Sequence, residues 1–268
     1  MSLRRPRWWP RRSHGAGSNG AGSSTTGPER REPTGGVSSW HLWWTGLPTA
    51  GVAEAAVTLE VTEPPRVDRL YFWALQATFA DGTGRHHGAA HLGLQWNPRH
   101  PGARAVNWGG YAQPPAGGIL AGTPSALPST PDDPNTRDYP WVPGRAYRLR
   151  IARGGQGWAG VVTDLADGRT TVVRELLAGG DRLRHVVVWS ELFCRCDHPP
   201  VEVRWSGFEA VGLDGAPHRP DGLRVSFPPA SAGDCRSTDV LVEADGRAVR
   251  QRIGEPRTWR EGAPVRWA

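Results

Sequence analysis

A chain of 268 residues with 38% hydrophobic side chains is long enough to bury a sizeable core. Its 35 Gly and 25 Pro stop short of the roughly 25–30% that by itself signals disorder, and no apolar run nears the roughly 18 residues of a membrane span. Collagen-like and helical membrane-spanning classes are excluded. The formal charge of +6 lies mostly in residues 1–36, where seven Arg face only Glu29 and Glu32. A nearly neutral body has no field to steer DNA or RNA, so no nucleic-acid partner is expected.

Residues 1–36 read as a disordered basic tail rich in Gly, Ser and Pro. Its pairs Arg4-Arg5 and Arg11-Arg12 lack the apolar stretch that an export signal requires, which makes the cytoplasm the expected location. From Ser38 onward the pattern has period two. Val57, Leu59 and Val61 alternate with polar residues, as do Tyr147, Leu149 and Ile151, then Val201, Val203 and Trp205. Arg69 to Phe79 and His185 to Phe193 are apolar on both parities for part of their length, as central strands of stacked sheets are. Further strands are expected at 40–45, 89–96, 105–108, 158–165, 170–177, 223–227 and 239–243. Asp81-Gly82, Asp167-Gly168, Asp214-Gly215 and Asp245-Gly246 are turn signals. About a dozen strands without a helical segment predict an all-β, two-sheet antiparallel jelly-roll sandwich. It forms one domain over 37–268, with a long loop at about 97–144.

The run Tyr71-Phe72-Trp73, the strand His91-Leu92-Gly93-Leu94-Gln95-Trp96, and Tyr147 to Ile151 followed by Trp158 and Val162 resemble the concanavalin and laminin-G-like jelly rolls. More narrowly, they are similar to uncharacterised bacterial sandwich proteins of that class. The resemblance covers roughly 38–210 and implies carbohydrate binding, sometimes with calcium, and in a minority of members carbohydrate cleavage.

Fourteen Trp against five Phe and four Tyr supply large stacking platforms. Trp73, Trp189 and Trp205 sit on strongly apolar strands and are expected in the core. Trp96, Trp108 and Trp141, near Asn97, Asn107, Tyr111 and Tyr139, are the candidates for sugar stacking. His91, Gly93 and Gln95 share one face of their strand, where His91 and Gln95 offer polar groups to a ligand or, with a partner, proton transfer. In the long loop, Asp132, Asp133, Asn135 and Asp138 are spaced to wrap a hard cation such as calcium, although Asx residues beside Pro also form ordinary turns. Glu191 and Glu202 each lack the second acid, at strand spacing, of a two-carboxylate glycosidase.

Cys194, Cys196 and Cys235, with His198, contain the ligand types of a Cys3His zinc site at a non-standard spacing. A disulfide from Cys235 is the alternative, and an odd count without an export signal favours reduced thiols. The functional expectation is a lectin-like module binding a polysaccharide or other glycan through His91, Gln95, Trp108, Tyr111 and Trp141. A polysaccharide lyase or glycoside hydrolase on the same fold is the second reading, and a protein-interaction sandwich the third.

Overall fold

The computed structural model describes residues 38–113, 117–129, 133–193, 198–229 and 234–267. The expected tail at 1–36, Asp132, Cys194 and Cys196 lie outside them. Among the described residues the strands are β1 (Ser38–Thr45), β2 (Val52–Glu63), β3 (Tyr71–Ala80), β4 (His86–Trp96), β5 (Arg104–Ala112), β6 (Thr136–Asp138), β7 (Ala146–Arg153), β8 (Trp158–Asp164), β9 (Thr170–Leu176), β10 (Arg182–Leu192), β11 (Val201–Gly212), β12 (Pro217–His218), β13 (Gly222–Ser226), β14 (Thr238–Val242), β15 (Ala248–Ile253) and β16 (Pro264–Arg266). All their pairings are antiparallel, and the chain is an all-β sandwich.

Two layers follow from the pairing. The first runs β16-β13-β1-β10-β3-β4-β5-β6. The second runs β14-β15-β11-β2-β7-β8-β9, with β12 on β11. A single pair, Leu183 with Val52, joins β10 to β2. Each predicted Asp-Gly turn falls where a strand reverses, between β3 and β4, β8 and β9, β11 and β12, and β14 and β15. Gly168, Gly215 and Gly246 take φ of 74°, 82° and 65°, a region costly to residues with a Cβ.

The main core fills the space between the layers. Leu42, Trp73, Leu75, Leu92, Leu94 and Val188 of the first sheet meet Val57, Leu59, Leu149, Ile151, Val203 and Trp205 of the second. One polar group crosses this core. Gln251 of β15 accepts hydrogen bonds from Ser190 Oγ at 2.5 Å and Trp205 Nε1 at 2.8 Å, and donates to the Trp40 carbonyl at 3.2 Å. This satisfied buried amide ties β1 and β10 to β11 and β15. It also interrupts the apolar alternation of Val249 and Ile253, and β15 carries no expectation from sequence for that reason.

The expected long loop is partly sheet. β5 extends to Ala112, beyond the predicted 105–108, because Gly109 and Gly110 allow close approach. A Cβ at Gly110 would lie 2.2 Å from the Ala89 carbonyl, and one at Gly109 2.6 Å from the Asn135 side chain.

A bulge in β10 decides which side chains leave the core. Opposite β3 the register shifts between Arg184 and Val187, and His185 there has φ of 49°. Leu183 is a core residue before the bulge, and Val186, Val188 and Leu192 are core residues after it. The extra residue reverses parity, so Val187, Trp189 and Glu191 face outward.

Candidate active site on the outer face of the first sheet

Alternation along β1, β10, β3 and β4 puts a second set of side chains on the sheet face opposite the main core. The registers arrange them in rows. Ser39, Glu191, Phe72 and Gln95 lie side by side. The next row holds His41, Trp189, Ala74 and Gly93, and the third holds Trp43, Val187, Gln76 and His91. Phe72, Ala74, Val187 and Trp189 form a hydrophobic cluster separate from the main core, with Trp43 and Phe193 packed against it.

Aromatic edges hold this floor. Phe72 meets Trp189 edge-on at 4.8 Å, and His91 meets Phe72 at 5.4 Å and Trp189 at 5.7 Å. His41 stacks beside Trp43 at 6.2 Å. Trp189 Nε1 donates to Gln76 Oε1 at 3.1 Å. The deep part is nearly dry, with Glu191 5%, Gln95 4% and Gln76 6% exposed, whereas His41, Trp43 and His91 are partly exposed.

Glu191 is the chemical anomaly of the floor. Its Oε1 is buried without a hydrogen-bond partner, and among the described residues it makes no ion pair. Burial pushes its carboxyl up to about 8, because an unpaired carboxylate in a dry site is costly. Burial acts in the opposite sense on His91, whose imidazole is lowered to about 4 and so is neutral above that pH. Gln95 stands across Phe72 from Glu191. Asn97 Nδ2 donates to its Oε1 at 3.0 Å, leaving Gln95 Nε2 as the free donor, and Trp141 Nε1 bonds its backbone carbonyl at 3.0 Å.

Of the residues expected to bind ligand, the structure brings His91 and Gln95 onto this floor, with Tyr111 one row beyond His91 on β5. Trp108 and Trp141 are corrected to core positions. They are 0% and 1% exposed, Trp108 Nε1 bonds the Trp158 carbonyl at 3.1 Å, and neither indole has a face left for a sugar. Trp189 is buried as expected, in the smaller hydrophobic cluster of the outer face.

The loop residues expected to hold calcium are engaged otherwise. Asp133 Oδ1 accepts from the backbone N–H of Asn135 and Thr136 at 3.2 and 3.1 Å. Asn135 Oδ1 accepts from Arg174, and Asp138 Oδ1 lies 2.6 Å from His100 Nδ1. The Asp133 bonds are the turn contacts that Asx residues make, whereas Asn135 and Asp138 are tied to distant side chains, and Asp132 is outside the described residues. Among the described residues no three His, Cys, Asp or Glu side chains converge on a cation site. Cys235 is disulfide-bonded, contrary to the expectation of reduced thiols.

Glu191 is the residue that sequence reasoning passed over as a site. Its signal was an isolated acid inside the apolar run VVVWSELF. Glu202, weighed beside it, belongs to the other sheet and pairs with Arg250 and Arg252. A groove of about 480 Å³ also lies on that second sheet, lined by Glu54, Arg148, Glu209 and His218. Arg148 and Glu209 are paired with each other at 2.5 Å, and Glu54 with Arg150 at 2.8 Å, so the groove holds none of the unpaired acid chemistry of the first sheet.

No family model matches the chain, and no curated protein sequence does. Among solved structures it is similar to Scytalido-glutamic peptidase bound to a peptide-based transition-state analogue, at 10% identity and TM-score 0.44, covering 81% of this chain and 98% of that one. It is similar at 9% identity and TM-score 0.43, with the same coverage, to SCP-B, an eqolisin-family peptidase bound to the tripeptide Ala-Ile-His. An alginate lyase from Klebsiella pneumoniae matches at 14% identity and TM-score 0.26, over 60% of this chain and 59% of that one. At such scores and identities these likenesses assign no activity.

Proposed function

We propose that the protein is an acid–base hydrolase that cleaves amide bonds in extended polypeptides, with Glu191 and Gln95 as its catalytic residues. The observation that carries this reading is Glu191 itself, a buried carboxyl whose Oε1 has no hydrogen-bond partner among the described residues, facing outward across Phe72 from an oriented carboxamide. A fold has no structural use for such a group, and carboxyls with raised pKa values are characteristic of proton-transfer sites. Two interstrand steps separate Glu191 from Gln95, about 10 Å between Cα atoms. That spacing leaves room for a carbonyl group and a water between the side-chain ends. The protonated Glu191 carboxyl works from both ends: its O–H gives a proton to the leaving nitrogen while its carbonyl oxygen accepts one from the water that attacks the carbonyl carbon, so the C–N bond breaks and the carboxyl is left protonated for the next cycle. Gln95 Nε2 donates to the developing oxyanion, and Asn97 keeps that amide turned the right way. One carboxyl with one carboxamide suits acyl chemistry, whereas glycosidases of the ordinary type use two carboxyls.

The test is digestion of an unfolded protein by the full chain across pH 3–8, with new termini read by mass spectrometry. Cleavage that disappears in Glu191→Gln and falls in Gln95→Ala is expected, and cleavage unchanged in Glu191→Gln overturns the assignment. A second reading, glycan binding without turnover, has support from the aromatic floor of Phe72, Trp189 and Trp43 beside His91 and Gln95. Under that reading a soluble polysaccharide shifts the tryptophan fluorescence and no polypeptide is cut.

A further inference from the structure

Beyond the third row of the floor, β13 places Arg224 opposite Trp43 and Ser226 opposite His41. Leu223 and Val225 point into the core, so Arg224 and Ser226 share the outward face with the aromatic strip. Arg224 is partly buried. Its Nε is buried without a partner, and among the described residues the side chain makes no ion pair. Arg137 and Arg252 also have a buried Nε without a hydrogen bond, but Arg137 bonds Ser129 and the Pro134 carbonyl through its other nitrogens and Arg252 pairs with Glu202 and Glu255. Arg257 pairs with Asp234 at 2.6 Å, and Arg174 bonds the Trp108 carbonyl and Asn135. A guanidinium left partly desolvated and unmatched favours an anionic partner supplied from outside, and its planar fork suits a carboxylate.

We infer that Arg224 is an anion-recognising subsite, which selects polypeptides with an acidic residue a fixed distance from the bond that Glu191 cleaves. The inference rests on the hydrolase reading above for the location of that bond. From Ser39, opposite Glu191, to Trp43, opposite Arg224, is four residues of β1. That is about 13 Å along the strand plus two interstrand steps of about 4.8 Å, or roughly 16 Å between Cα atoms. An extended substrate advances about 3.3 Å per residue, and the length of the arginine shortens the gap, so the acidic residue falls about three to five positions away. The path crosses His41 and Trp43, whose stacked rings provide an apolar track for the residues between.

The test measures binding in the Glu191→Gln full chain, so that recognition is read without turnover. Matched peptides carry Asp or Asn at the third to fifth positions on either side of a cleaved bond, and tryptophan fluorescence reports binding. At least one Asp peptide is expected to bind roughly fivefold more tightly than its Asn partner, with the preference shrinking in high salt. Adding Arg224→Gln should erase the preference, whereas adding Arg184→Gln, on β10 before the bulge, should retain it. Equal binding of the Asp and Asn peptides, no binding by either, or a preference that survives Arg224→Gln overturns the subsite. Peptides that bind with the expected preference but are never cut by the unmodified chain sink the hydrolase reading and leave the subsite standing.

Discussion

On the outer face of the second sheet, acids are paired with arginines. Glu243 takes a two-pronged bond from Arg204 at 2.8 and 2.9 Å and another from Arg250 at 2.9 Å, and Glu202 lies between Arg250 and Arg252. Glu243 is accordingly held down to about 2, chiefly by Arg204 and then by Arg250. On the outer face of the first sheet, Glu191 makes no ion pair among the described residues, and burial pushes its carboxyl up to about 8. Glu191 lies on β10 and Glu243 directly follows β14 of the same sandwich. The difference lies in what surrounds them, since a lattice of arginines stabilises the anion and a dry aromatic floor stabilises the acid. The second sheet uses charge to finish a surface, and the first keeps a proton on a buried acid.

The largest effect expected from breaking this contrast is on turnover. Removing the one acid–base group in Glu191→Gln should lower peptide cleavage by at least about 100-fold while circular dichroism stays that of the native fold. Next in size is the tie through the core. Gln251→Leu strands Ser190 Oγ, Trp205 Nε1 and the Trp40 carbonyl, each losing a partner, and should cost about 3 kcal/mol in denaturant unfolding.

A smaller effect is the pH slope. Glu191 has a higher pKa folded than its usual 4.5, so folding binds its proton, and the stability it contributes is intact below 4.5 and lost as pH rises toward 8. His91 is lowered from 6.5 to about 4, so its contribution is present above 6.5 and lost as pH falls toward 4. The two slopes oppose each other between 4.5 and 6.5. Above 6.5 the His91 contribution is nearly complete and Glu191 dominates, so stability should fall by on the order of 1 kcal/mol by pH 8. Urea midpoints at pH 6.5 and 8 test this, and the fall should vanish in Glu191→Gln. The smallest effect is on the paired face, where Glu243→Gln should cost no more than about 1 kcal/mol, and less in high salt.

Much of the sandwich is legible in the chain because its strands alternate cleanly and its hairpins carry Asp-Gly. Where alternation fails, so does the reading. Gln251 hides β15 because an inward amide looks like a solvent-facing one until its three partners are known. The candidate site is half legible. His91, Gln95 and Tyr111 share a sheet face by simple parity, but Glu191 reaches that face only because the bulge at His185 reverses the parity of β10. Trp108 and Trp141 mislead for a related reason. They lie in a Pro- and Gly-rich stretch that reads as surface loop, yet β5 and the segment after β6 carry both indoles into the core.

The proposed chemistry depends on the protonation of Glu191 in the folded chain, and isotope-edited infrared difference spectroscopy of the unmodified protein against Glu191→Gln reads that directly. A protonated carboxyl band at pH 6.5 that is absent from Glu191→Gln and titrates away with a midpoint near 8 is the predicted result. Loss of that band by pH 5, as for an ordinary solvated glutamate, would contradict the account.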